Sequence, residues 1–131
     1  MLAVNKVKKY SKLQTLKGDV MEKVKFYKVN ELKVKKVLED STLKIVANEN
    51  TMVTFFEFGP KTPFMPSHKH PHEQTAYVLE GSIKMIAGGE TKVLMANEGA
   101  IIPPNVEHEV YPLEPKTKIM DVFYPIREDY L

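Results

Sequence analysis

The chain has 131 residues, 43% of them apolar and 27% charged, with a formal net charge of +2 and no cysteine. That length suits one domain with its own core, and the near-average composition excludes disordered and fibrous classes. The missing thiols remove disulfides, thiolate metal sites and cysteine nucleophiles, and lysines scattered along the chain give nucleic acid no basic patch.

No run approaches the roughly 18 apolar residues of a membrane span, and the N-terminus lacks an apolar targeting core, so a cytoplasmic protein is expected. Residues 1–22 differ from the rest: Lys6, Lys8, Lys9, Lys12 and Lys17 stand among thinly scattered apolar residues. They read as an N-terminal arm, mobile or exchanged with a partner subunit, with Met21 a candidate start. A single barrel domain is expected over 23–131.

From Lys23 onward, short apolar runs are separated by turn residues at the spacing of an all-β sandwich or barrel. Strands are predicted over 24–29, 42–47, 51–58, 74–79, 82–87, 91–95, 100–102, 108–111 and 118–124. Between two of them, Ala87-Gly88-Gly89-Glu90 predicts a tight hairpin, since Gly supplies positive φ there. Glu31 to Glu39 has helical spacing, although Val34 and Val37 also fit a strand. Pro60, Pro63, Pro66 and Pro71 predict a rigid extended loop before the richest stretch of the chain.

That stretch is His68-Lys69-His70-Pro71-His72-Glu73-Gln74, with three of the four histidines. Side chains on an extended segment alternate faces, so His68, His70 and Gln74 can converge on one point. Neutral imidazole is the commonest protein metal ligand, and three such donors predict a metal site. Pro71 is expected to bend His72 out of the set and leave it, with Glu73, in a supporting role. The turn Pro103-Pro104-Asn105 then delivers the distant His108 to the start of a strand.

These residues resemble the two cupin motifs. His68, His70, Gln74 and Gly81 stand on the first, with Gly59 three positions early; Pro103, Asn105 and His108 approximate the second. The resemblance implies a double-stranded β-helix, an RmlC-like cupin jelly-roll barrel with a metal inside. Asn105 replaces the usual Gly, which Asn can do because it tolerates left-handed φ. Gln74 replaces the usual Glu. A shifted register would offer the adjacent Glu73 instead, but strand parity and the spacing to Gly81 favour Gln74, and the ligand set His68, His70, Gln74 and His108 is then neutral. A neutral set leaves the charge of a divalent ion (Zn, Ni, Mn or Fe) uncompensated and attractive to an anion.

The ending Asp121-Val122-Phe123-Tyr124-Pro125-Ile126-Arg127-Glu128-Asp129 is the second informative stretch. Asp121 and Phe123 share a strand face, so an inward Asp121 would be a general acid or base and Arg127 could grip a substrate carboxylate. The alternative pairs Asp121 with a lysine such as Lys118 and leaves Arg127 on the surface. Together with HPHEQ, this ending is similar to the KdgF-type pectin-degradation family of small cupins. That resemblance implies catalytic roles for Asp121, Phe123 and Arg127 in converting 4,5-unsaturated monouronates, from pectin or alginate, to linear keto-deoxy uronates. A metal-dependent dioxygenase and a non-catalytic anion- or sugar-binding cupin are the alternatives. Outward apolar residues over 51–58 fit a homodimer.

Overall fold

In a computed structural model, which describes residues 23–131, alternation becomes ten strands. They are β1 (Lys35–Val37), β2 (Ser41–Ala47), β3 (Met52–Glu57), β4 (Met65–His68), β5 (Glu73–Glu80), β6 (Ser82–Ala87), β7 (Glu90–Met95), β8 (Gly99–Ile102), β9 (His108–Pro112) and β10 (Lys118–Tyr124). One antiparallel sheet runs β1-β2-β3-β10-β5-β8, and the other runs β4-β9-β6-β7. The expected arm over 1–22 lies outside the described residues.

Register explains how the sheets make a core. Leu43, Phe56, Ile119 and Val78 stand in one row across the larger sheet; Met52, Phe123, Gln74 and Ile102 form another. Every one of these eight is buried, and Ile83, Met85, Leu94 and Val110 meet the first row from the smaller sheet. Between the two rows, Thr54 and Ala76 flank Asp121. A polar residue therefore enters the inner face at one level of the barrel, and Gln74 marks the same end.

The expected hairpin forms, with φ of 57° at Gly88 and 80° at Gly89, both needed for a turn that follows strand twist. Gly81 has φ of 80°, and a Cβ there would run into Thr117 Oγ1. Three expectations change. Residues 24–29 form no strand, and Val24 and Phe26 are exposed, because no described strand lies beside them to complete a ladder. The helical spacing of 31–39 resolves into a 3-10 turn over Val29–Glu31 and strand β1. The proline-rich loop contributes β4, which tolerates Pro66 because, among the described strands, it is an edge strand pairing only with β9.

Candidate metal centre and acid–base site

Three elements converge at one end of the barrel. His68 ends β4 and pairs directly with His108, the first residue of β9. His70 follows in the connection to β5, held by its own carbonyl, which accepts the Asn105 N–H at 2.7 Å. Asn105 has φ of 63°, so the turn that delivers His108 also anchors His70. One ring nitrogen from each of His68, His70 and His108 lies within 4.8 Å of the others.

Backbone carbonyls orient these rings. Nδ1 of His68 lies 2.9 Å from Pro66 O, Nδ1 of His108 lies 2.9 Å from Val106 O, and Nδ1 of His70 lies 3.2 Å from His72 O. A carbonyl only accepts, so Nδ1 of His68 and of His108 carries the proton and Nε2 presents a lone pair, whereas His70 has an acceptor at both nitrogens and can donate to one of them. Burial depresses the pKa of His70 and pushes that of His108 down to about 4, favouring neutral rings.

Gln74 completes the arrangement. Its amide N–H donates to Asp121 Oδ1 at 2.9 Å, which turns Oε1 toward His70 Nε2, also at 2.9 Å. With the His70 proton on Nδ1, two lone pairs face each other across that gap, and among the described residues the buried Nε2 of His108 has no hydrogen-bond partner. Each such group costs roughly 1–3 kcal/mol if left unmade, and a shared cation satisfies both. The residues present therefore fit a divalent metal held by His68, His70, Gln74 and His108. Gln74 is buried and Glu73 exposed, as strand parity requires. His72 lends its carbonyl to His70, while its ring stands outside the triad.

Asp121 is buried beside this set. Burial pushes its carboxyl up to about 6, against the opposing effects of the Gln74 hydrogen bond and the Arg127 charge. Its protonated and ionised forms are thus both accessible near neutrality, as a general acid or base requires. Lys118 pairs with Glu57 and Glu80 instead. Phe123, only 1% exposed, sets its ring 5.7 Å from that of His70 and 5.3 Å from the Arg127 guanidinium.

Arg127 is not on the surface. Its side chain is 11% exposed, and its charge acts on His70, His108 and Asp121. It donates to both Asp129 oxygens and to the Tyr130 hydroxyl. Tyr130 had no role in the sequence reading, although its spacing of three from Arg127 was the available signal. A groove of about 330 Å³, lined by Gln74 together with residues such as Ile101, Pro103, Val122 and Tyr124, includes none of the three histidines.

A family model described as a cupin domain matches residues 54–122. The chain is 37% identical over 65 residues to the pectin degradation protein KdgF of Dickeya dadantii (strain 3937), a match covering 49% of this chain and 59% of that protein. The matched stretch thus spans about three fifths of the curated relative. The solved structure of KdgF from Halomonas sp. superposes with a TM-score of 0.77 at 26% identity, covering 83% of this chain and all of that one. An RmlC-like cupin from Shewanella frigidimarina NCIMB 400 gives 0.74 at 25% identity, covering 83% and 97%. The match over 54–122 takes in just over half of the sequence and coincides with the strands that carry the site, so the chain belongs to the cupin family.

Proposed function

We propose that this cupin converts 4,5-unsaturated monouronates into linear keto-deoxy uronates. The observation that carries the reading is the chain His70–Gln74–Asp121, which sets a carboxyl titrating near neutrality beside a neutral metal-binding set, with Arg127 at hand. Similarity to the KdgF proteins supports it.

The substrate is a cyclic enol ether whose C5 bears a carboxylate. Opening it requires the C1 hydroxyl to lose a proton as the C1–ring oxygen bond breaks, and C4 to gain one, leaving an aldehyde at C1 and a ketone at C5. When bound, a divalent ion supplies Lewis acidity to a sugar oxygen. Asp121 moves the proton: ionised it accepts, protonated it delivers to C4. Gln74 fixes the carboxyl by donating to Oδ1. Phe123 walls the site against water, and Arg127 recognises the substrate's negative end. A buried carboxyl and a cation beside the metal set count against an apolar dioxygenase substrate.

Reaction in heavy water, followed by proton NMR, tests this. The vinylic C4 signal should be replaced by a C4 methylene carrying one deuterium, with Asp121→Asn slowed about 100-fold or more. Turnover by Asp121→Asn at the parent rate would refute the assignment. The reading includes a homodimer through the outer face of the larger sheet, where Val53, Phe55, Met120 and Val122 are half-buried and Ile101 is 83% exposed. A monomeric mass in solution would exclude it.

A further inference from the structure

One contact at this end of the barrel is left unused by the proposed reaction. Nε and Nη2 of Arg127 donate to Oδ1 and Oδ2 of Asp129 at 3.3 and 2.7 Å, the paired geometry by which a guanidinium grips a carboxylate. Nη1 donates to the Tyr130 hydroxyl at 2.9 Å, and the guanidinium carbon lies 4.0 Å from the centre of the Tyr130 ring. Tyr130 thus sets the plane of the guanidinium, while Asp129 fills the edge that a sugar acid would use.

The two partners are held differently. Tyr130 is anchored by its backbone, whose carbonyl accepts from Lys35 Nζ at 2.7 Å, and its ring packs 5.9 Å from that of Phe123. The Asp129 side chain is 59% exposed, and its oxygens are bonded to Arg127 alone among the described contacts. An ion pair with one partner in water adds little and exchanges readily. Asp129 can therefore leave while Tyr130 keeps Arg127 aimed.

We propose that Asp129 is an internal stand-in for the substrate carboxylate, occupying the paired N–H edge of Arg127 until a sugar acid displaces it, and so setting affinity and selectivity for monocarboxylate sugars. The proposal rests on the uronate reading above. A neutral sugar lacks the group that displaces Asp129.

Calorimetric titration of the metal-loaded full chain with D-galacturonate and with D-galactose tests the exchange, using wild type, Asp129→Asn and Glu128→Gln. Glu128 carries the same charge one residue away and makes no ion pair with Arg127. Asp129→Asn should bind galacturonate about threefold to fivefold tighter, the span expected for removing an exposed ion-pair competitor. Glu128→Gln should match wild type, and galactose binding should be the same in all three. Unchanged or weaker galacturonate binding by Asp129→Asn overturns the proposal, as does equal tightening by Glu128→Gln or no measurable binding by any of them. Binding as expected without opening of the unsaturated sugar would refute the reaction and leave the exchange standing. Opening, with Asp129→Asn no tighter, would do the reverse.

Discussion

Asp121 occupies an inward position where a strand selected for packing alone would place Val or Ile. It stands between Thr54 and Ala76, two small neighbours, and its Oδ1 accepts from Gln74. The metal-free protein should register this in its pH dependence. A carboxyl raised to about 6 favours the folded state fully below its unfolded value of 3.8, and that contribution is lost as pH rises through 6. His108, lowered to about 4, acts oppositely: its contribution is full above 6.5 and lost as pH falls toward 4. Each displacement is worth roughly 3 kcal/mol at most, so the two slopes largely cancel between about pH 4 and 6. His70, lowered like His108, tilts the remainder upward with pH, so thermal melts of metal-free wild type should rise across that window less steeply than those of Asp121→Asn. A flat profile for that variant would contradict the assignment.

At the same scale, parity alone puts Gln74 inside and Glu73 outside, because the choice depends only on alternation along β5. The contacts of Asp129 and Tyr130 were legible only as a spacing from Arg127, and the anchoring of Tyr130 was not legible at all. They arise from a 3-10 turn at the chain end, pinned by Lys35, 95 residues earlier in sequence. No local pattern encodes a partner that distant.

Among the elements, the turn Pro103-Pro104-Asn105 has the most to do. Left-handed φ at Asn105 lets the chain reverse into β9, and its N–H anchors the His70 carbonyl. Asn105→Ala should destabilise the fold by about 1 kcal/mol or more and weaken metal binding, whereas Asn105→Gly should preserve both. Denaturant melts and a metal titration of the two variants make the comparison; equal behaviour would show that the backbone conformation is not what matters. Strand positions were largely legible because one inner face is apolar. The region 24–29 shows the limit of that signal: alternation describes a side chain's preference, but a strand also needs a neighbour for its N–H and C=O groups. β4 was illegible for the converse reason, since Pro66 hides an edge strand.

Across the whole molecule, the two sheets close on apolar rows at one level and leave polar donors facing each other at another. Metal should therefore act as a ligand of the folded state alone. At a free concentration of 100 times its dissociation constant it adds about 2.7 kcal/mol, which raises Tm by on the order of 10 °C for a domain of this size. His108→Ala should remove most of that shift, because it deletes the donor whose Nε2 is buried without a partner. A shift of the same size in that variant would place the metal elsewhere.

The ultraviolet absorbance of the C4=C5 alkene reads the proposed reaction directly. Protein with its metal content confirmed by elemental measurement should accelerate the loss of that absorbance from 4,5-unsaturated galacturonate, and Asp121→Asn loaded to the same content should not. Decay no faster than in buffer, with the metal present, would contradict the account.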